Sequence, residues 1–329
     1  VYSSLLKYDG QGNLTPDLVE SYEISDDKTL YTFHLKQNVA WHDGQPLTAG
    51  DVLFTVNLIT DPAFKSSIRV NWQGIEASYI DDYTLSFSVK SPYVGLLNNL
   101  TFGIMPKHIW ESVAADKFSL TDLNLQPIGS GPYKFSSLQK DSNGNIITYK
   151  LIANPNYYGD RPYISKVTFN YYPDDNSAVE AYNKKEVMGI NSLSASKISD
   201  IKLLQSTSLH QFSIPRYFSV FLNQTKSKPL VSDEVREAFT YATNRQEIVD
   251  KVLKGMGHPI YSPILHGMIG YNEDIDKREF DLEKANKILD DSGWKAGDDG
   301  IRSKNGVRLE INLYTTDFQE LKETANLLK

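Results

Sequence analysis

The 329-residue chain has a mass of 37.2 kDa, which is too long for one ordinary core and favours two or three domains. Its formal net charge of −7 and the absence of a basic run make nucleic acid and anionic lipid poor candidate partners. The absence of cysteine excludes disulfides, zinc-thiolate sites and a cysteine nucleophile.

Alternation of apolar and polar side chains predicts strands in the first half of the chain. It is present over residues 31–35 and over residues 83–89, which follow an apolar run at 75–80 and the turn pair Asp81-Asp82. Further strands are predicted over residues 132–135, 146–152 and 167–171. These patterns are typical of antiparallel sheets with one half-buried face.

One helix is predicted among these strands. Asp43-Gly44 is a turn pair, and Thr48 then acts as the N-cap, with Asp51 three residues further on. An apolar stripe of Val52, Val56 and Ile59 follows, and Asp61-Pro62 ends the helix.

From about residue 230 the pattern becomes helical. Helices are predicted after Ser232, Asn244 and Asp281, each of which precedes an apolar stripe. Asn305-Gly306 predicts a type I′ hairpin turn, and the alternation over residues 309–313 predicts a strand behind it. Asp317 with Glu320 indicates the N-terminus of a last helix.

The sequence contains no constellation that indicates catalysis or metal binding. None of the six histidines forms an i, i+4 pair or lies beside an acidic cluster. His42-Asp43 is interpreted as a turn, and Gly129-Ser130-Gly131 fails as a nucleophile elbow because Pro132 and a strand follow it. We therefore expect no metal, no cofactor and no enzymatic activity.

Five stretches of the sequence resemble those of a known protein family. They occur in the same order as in that family and extend across nearly the whole chain. The most specific is residues 31–52, which includes the run Val39-Ala-Trp-His-Asp-Gly44. The others are residues 127–135, 153–169, 229–245 and 281–294. Together they resemble the extracytoplasmic solute-binding proteins of ABC importers, in family 5, which includes oligopeptide-, dipeptide- and nickel-binding proteins.

The resemblance implies an α/β fold of the periplasmic-binding-protein type (type II, cluster C), with two lobes built from mixed β-sheets and surrounding helices. Residues 1–150 would form a β-rich extra subdomain of lobe 1, residues 151–231 its central part, and residues 232–329 the N-terminal part of lobe 2. Family members are longer, so we expect a chain truncated at both ends, with the export signal absent and the second lobe incomplete.

The function implied by the resemblance is the capture of oligo- or dipeptides in a cleft between the lobes. Hinge closure would follow, with delivery to the transmembrane permease subunits and their ATPase. The implied ligand contacts are Trp72, Asn98, Phe102, Tyr217 and Phe218, of which the last two lie in a strand predicted over residues 217–221. For each of the four aromatic residues in this set, packing in the core is the alternative to contact with a ligand. The protein would be a monomer outside the cytoplasm, either periplasmic or a cell-surface lipoprotein.

Other functions stay open at this point. The same fold binds other solutes, such as an oligosaccharide or a nickel chelate, because aromatic-lined clefts suit all of these ligands. A hydrolase and a surface sensing or adhesion protein are less favoured alternatives from other functional classes.

Overall fold

The computed structural model describes residues 1–93, 95–202, 206–212, 216–266, 268 and 270–329. The chain divides into two compact units, Val1–Tyr172 (unit 1) and Pro173–Lys329 (unit 2). The three-part division suggested by the resemblance stays a prediction.

Strands predominate in unit 1 and helices in unit 2. The helices are α1 Ala49–Thr60, α2 Leu96–Asn99, α3 Lys107–Trp110, α4 Asp175–Asn183, α5 Asp233–Ala242, α6 Arg245–Lys251, α7 Leu282–Asp291 and α8 Gln319–Leu328. The strands are β1 Leu6–Tyr8, β2 Leu14–Pro16, β3 Val19–Ile24, β4 Leu30–Leu35, β5 Ile75–Asp81, β6 Thr84–Val89, β7 Tyr133–Lys140, β8 Ile146–Ala153, β9 Lys166–Asn170, β10 Lys295–Ala296, β11 Arg302–Lys304 and β12 Val307–Arg308.

The main sheet of unit 1 has the strand order β3-β4-β6-β5, with antiparallel neighbours. Its buried face confirms the alternation predicted from the sequence. Phe33 lies opposite Leu85 across the β4–β6 pair, Tyr31 lies opposite Phe87, and all four side chains are buried. Opposed apolar side chains of this kind stabilise a sheet, and here they form the centre of the larger core of unit 1.

Helix α1 packs its predicted stripe against the same core. Val52, Val56 and Ile59 are buried, and the helix ends before Asp61. At its start, the Thr48 amide donates to Asp51 Oδ2 over 2.9 Å, as the capping pattern predicts. Asp51 is itself buried and also accepts from the Lys107 amide at 2.8 Å, so the same carboxylate anchors the start of α3.

A second antiparallel sheet of unit 1 has the order β7-β8-β9 and confirms three further predicted strands. The segment between β8 and β9 is tied to the β1–β2 hairpin through one buried carboxylate. Asp17 Oδ1 accepts from the Tyr158 hydroxyl at 2.8 Å and from Lys7 Nζ at 3.1 Å, and Asp17 Oδ2 accepts from the Ser4 amide at 3.1 Å. These partners compensate the desolvation of a charge that is almost completely buried.

Unit 2 has a smaller core, formed mainly by α5 and α7. Val235, Ala238, Ala285 and Leu289 are buried there together with Trp294. The predicted helix starts are confirmed, since Asn244 and Asp281 accept backbone N–H groups at the starts of α6 and α7. The hairpin β11–β12 turns at Asn305 and Gly306, whose φ angles of 51° and 76° agree with a type I′ turn.

Two predicted strands of unit 2 are absent. Residues 217–221 and 309–313 are described but have no regular secondary structure. A strand is stable only when a neighbour accepts and donates its backbone hydrogen bonds, and neither segment belongs to a sheet in the described part of the chain. The second segment starts beside β11, where the Leu309 amide donates to the Arg302 carbonyl at 2.8 Å, but the pairing does not continue beyond Leu309. The last helix also begins one residue later than predicted, with Phe318 as its N-cap, and Asp317 forms an ion pair with Lys322.

Among the residues that the structure describes, no helix combines the length and the apolar character that crossing a membrane would require.

Candidate ligand-binding pocket

Three of the five predicted contact residues meet at one pocket of unit 1. This pocket has a volume of about 330 Å³ and lies between the 3₁₀ turn Arg69–Trp72 and the chain that begins at α2. Its lining residues are Ile68, Asn71, Trp72, Asn98, Asn99, Thr101 and Phe102. Trp72, Asn98 and Phe102 are therefore neighbours, although they are as much as 30 positions apart in the sequence.

The floor of the pocket is aromatic. Trp72 contacts Phe87 and Phe102 edge to face, with ring centroids 5.6 Å and 5.4 Å away. Only 2% of Trp72 is exposed, so it belongs mostly to the core although it lines the pocket. Its indole Nε1 is buried and finds no hydrogen-bond partner among the described residues. Phe102 is half-buried and offers more of its ring to a ligand.

The rim of the pocket is held in place by hydrogen bonds. The Tyr8 hydroxyl donates to Asn98 Oδ1 at 2.9 Å, and the Thr101 hydroxyl donates to the Asn98 carbonyl at 2.9 Å. Asn99 Nδ2 donates to the Asn71 carbonyl at 2.9 Å, which links the two sides of the pocket. A rim fixed in this way loses little conformational entropy when a ligand binds.

The polar residues beside the predicted contacts were not singled out individually, although they lie in two segments that the resemblance indicates, the loop around Trp72 and residues 98–102. Asn71, Asn99 and Thr101 line the pocket, but nothing in their local pattern separates them from ordinary loop residues. The one available signal is their adjacency in the sequence to Trp72, Asn98 and Phe102.

The other two predicted contacts belong to unit 2. Tyr217 is 44% exposed and Phe218 is 47% exposed, so neither is a core residue. The Arg216 guanidinium lies 5.2 Å from the centre of the Phe218 ring, a cation–π contact on an exposed aromatic. Their role as ligand contacts stays a prediction.

Unit 2 contains a pocket of its own, of about 290 Å³, at the start of α6. Its lining residues are Thr243, Asn244, Arg245, Gln246, Tyr261, Glu279 and Phe280. Arg245 has structural partners there, since its Nη1 donates to the carbonyls of Thr240 and Arg278 and its guanidinium lies 5.1 Å from the Tyr261 ring centre. Because these contacts hold Arg245 in the fold, we assign this pocket no ligand.

The histidines of unit 1 also have structural partners. His42 lies between the amide of Gly129 and the carbonyl of Gly131, at 3.1 Å from Nδ1 and 3.0 Å from Nε2. His108 Nε2 lies 2.8 Å from Asp43 Oδ2. Burial opposes ionisation of Asp43, but the hydrogen bonds from His108 and from the Gln45 amide outweigh it and lower the pKa of the carboxyl. Over the residues that the structure describes, no three His, Asp or Glu side chains gather where a metal ion could bind.

The fold agrees with the comparison to known proteins. Residues 13–329 match the family described as Bacterial extracellular solute-binding proteins, family 5 Middle. The chain belongs to this family, whose members are solute-binding proteins and carry an α/β fold.

Individual relatives agree with the family assignment. The oligopeptide-binding protein AppA of Bacillus subtilis is 31% identical over 336 residues, which cover 98% of this chain and 60% of AppA. The crystal structure of AppA with a nonapeptide superposes with a TM-score of 0.79 at 29% identity, over all of this chain and 65% of that one. NikZ of Campylobacter jejuni, solved with Ni(L-His), superposes with a TM-score of 0.87 at 25% identity, with the same coverage. This chain thus spans about 60% of the length of these relatives.

Proposed function

We propose that this chain is part of the solute-binding component of an ABC importer and that it captures oligo- or dipeptides. In this proposal two lobes close on the ligand about a hinge, and the closed form docks on the permease subunits that work with an ATPase. The ligand favours the closed form only to the extent that it binds that form more tightly.

The observation that carries the proposal is the convergence of Trp72, Asn98 and Phe102 on one pocket. An aromatic floor with a carboxamide rim suits a peptide, because the floor can pack against a side chain and the carboxamides can pair with backbone amides. The relative AppA was solved with a nonapeptide, which supports a peptide as the ligand here. Tyr217 and Phe218 are proposed as further contacts from unit 2.

The same proposal extends to the setting of the protein. The protein acts as a monomeric receptor without catalysis and without a bound cofactor, and it releases its ligand chemically unchanged. It lies outside the cytoplasm, in the periplasm or as a lipoprotein at the cell surface, and nucleic acid is not among its partners.

A second candidate function is the binding of a nickel chelate. It is favoured by the TM-score of 0.87 with NikZ, which was solved with Ni(L-His). A chelate brings its own metal ligands, so it requires a pocket for the organic part and no cluster of metal-binding side chains.

Native mass spectrometry of the chain with short peptides, and separately with Ni(L-His), tests both candidates. Because this chain spans about 60% of the length of its relatives, we expect only weak peptide adducts, of unchanged mass. We expect Asn98→Ala to weaken them about tenfold further through loss of hydrogen bonds to the ligand. Asn143→Ala is the matched control, because Asn143 is exposed in the β7–β8 turn and does not line the pocket. Adducts with Ni(L-His) alone would favour the second candidate, hydrolysed peptides would indicate an enzyme, and no adduct at all would refute the proposal.

A further inference from the structure

The unit 1 pocket is polar at its rim but carries no charge. Its seven lining residues in the described part of the chain are three asparagines, one threonine and three apolar or aromatic residues. A carboxylate or an ammonium group that reached the aromatic floor of this pocket would lose part of its hydration without gaining an opposite charge.

The rim still has hydrogen-bonding capacity to offer. Asn98 uses Oδ1 to accept from Tyr8, whereas its Nδ2 has no partner among the described residues. Asn99 uses Nδ2 to donate to the Asn71 carbonyl, whereas its Oδ1 has no partner there. The Asn71 side chain is also without a hydrogen bond in the described part of the chain. The rim therefore presents free donors and free acceptors side by side, an arrangement that matches an amide or a hydroxyl group.

The volume limits how much of a peptide can enter. Pockets for drug-sized ligands are about 300–1,000 Å³, and this pocket of about 330 Å³ is at the lower end of that range. It can hold one large side chain with its backbone amide, and it is too small for a longer stretch of peptide.

We propose that this pocket selects one uncharged side chain of the bound peptide, such as Gln or Leu, and rejects Asp, Glu, Lys and Arg at that position. This inference rests on the function proposed above, and it names the class of peptide that the site takes. A charged residue of the ligand must then lie outside this pocket or be absent.

The test uses four tripeptides, Ala-Gln-Ala, Ala-Leu-Ala, Ala-Glu-Ala and Ala-Lys-Ala, with their ends acetylated and amidated. Binding to the full 329-residue chain is followed by NMR through the tryptophan indole N–H signals, which also report weak binding. The Trp72 signal is assigned by its loss in Trp72→Phe. We expect the Gln and Leu peptides to bind about tenfold more tightly than the Glu and Lys peptides and to shift the Trp72 signal most.

A charge-swap variant sharpens the test. Asn98→Asp keeps the oxygen that accepts from Tyr8 and replaces only the free NH₂ group by a carboxylate oxygen, so the rim should keep its structure. We expect the affinity for Ala-Lys-Ala, relative to Ala-Gln-Ala, to rise about tenfold at low ionic strength. Asn71→Asp gives a second, independent charge on the opposite side of the pocket. Asn143→Asp adds the same charge outside the pocket, so it should leave the ratio of the affinities for Ala-Lys-Ala and Ala-Gln-Ala unchanged.

The outcomes separate this inference from the function on which it rests. If the peptides bind but their affinities do not depend on charge, or if both rim variants behave like Asn143→Asp, the pocket is not selective and the inference is overturned while peptide binding stands. If no peptide alters any tryptophan signal at millimolar concentration, the proposed capture of peptides fails and the inference fails with it.

Discussion

At the scale of single residues, the hydrogen-bond partners of His42 fix one protonation state of its ring. The Gly129 amide is a donor and faces Nδ1, while the Gly131 carbonyl is an acceptor and faces Nε2. Only the neutral ring with its proton on Nε2 satisfies both groups, because a proton on Nδ1 would face another N–H. Burial is the main cause that lowers the pKa of His42, although the hydrogen bond to the Gly131 carbonyl opposes it.

This arrangement predicts a loss of stability in weak acid. The folded state has the lower pKa, so the unfolded state takes up the proton first as the pH falls from about 7.5 to about 5.5. The stabilisation by neutral His42 is complete above the unfolded pKa and decreases through this window. Urea unfolding midpoints at several pH values measure the effect, and His42→Gln, which cannot titrate there, should show a flatter dependence. Equal slopes for wild type and variant would contradict the assignment.

The candidate site shows what single residues can and cannot reveal. The sequence and its family resemblance predict Trp72, Asn98 and Phe102 as ligand contacts, and the fold brings the three together. The sequence could not decide between core packing and ligand contact for Trp72, because an aromatic residue suits both environments. The exposure of 2% now places most of Trp72 in the core. The burial of Trp72 depends in part on its contact with Phe87, which lies 15 positions away in the sequence, so the residues next to Trp72 could not reveal it.

At the scale of elements, two hairpins of unit 1 use the same turn. Asp9 Oδ1 accepts the amides of Gln11 and Asn13 at 2.8 Å and 2.9 Å. Asp141 Oδ1 accepts the amides of Asn143 and Asn145 at the same two distances. The glycine before the asparagine has a positive φ in both turns, 86° at Gly12 and 85° at Gly144. The β1–β2 turn was not identified from the sequence, because its flanking strands have only three residues each.

The first of these turns allows a matched glycine test. At Gly12 a methyl group meets no atom within 4 Å, but the φ of 86° is one that L-residues avoid. Gly10 in the same turn has equal space and no positive φ. We expect Gly12→Ala to cost about 1 kcal/mol, which lowers the melting temperature by about 2–4 °C. Gly10→Ala should be neutral or slightly stabilising, and similar melting temperatures for the two variants would contradict the role of φ.

The strand predictions show where local patterns stop being informative. Residues 31–35 and 309–313 alternate equally clearly in the sequence, but only the first segment forms a strand. β4 has β3 on one side and β6 on the other, whereas the second segment belongs to no sheet in the described part of the chain and touches β11 only at Leu309. Alternation of apolar and polar residues shows only that a segment suits a pleated, half-buried surface. Whether a partner strand is available depends on residues far away in the sequence, so the local pattern cannot predict it.

At the scale of the whole molecule, the units differ in how much core each contains. Among the residues that the structure describes, the larger cluster of unit 1 comprises 21 buried hydrophobic residues, against 7 in the cluster of unit 2. Since burial of apolar surface is the main stabilising contribution, unit 1 should be the more stable unit.

We therefore expect residues 1–172, expressed alone, to fold. All members of its two core clusters and all partners of its three sheets lie within this range, so the fragment keeps every contact that forms its core. Circular dichroism and the fluorescence of its tryptophans should show one cooperative thermal transition, whereas residues 173–329 should unfold at a lower temperature or without a sharp transition. Phe33→Ala removes a fully buried ring and should destabilise the fragment by about 3–5 kcal/mol. A fragment that is unfolded, or one that tolerates Phe33→Ala, would show that its core does not stabilise unit 1 independently of the rest of the chain.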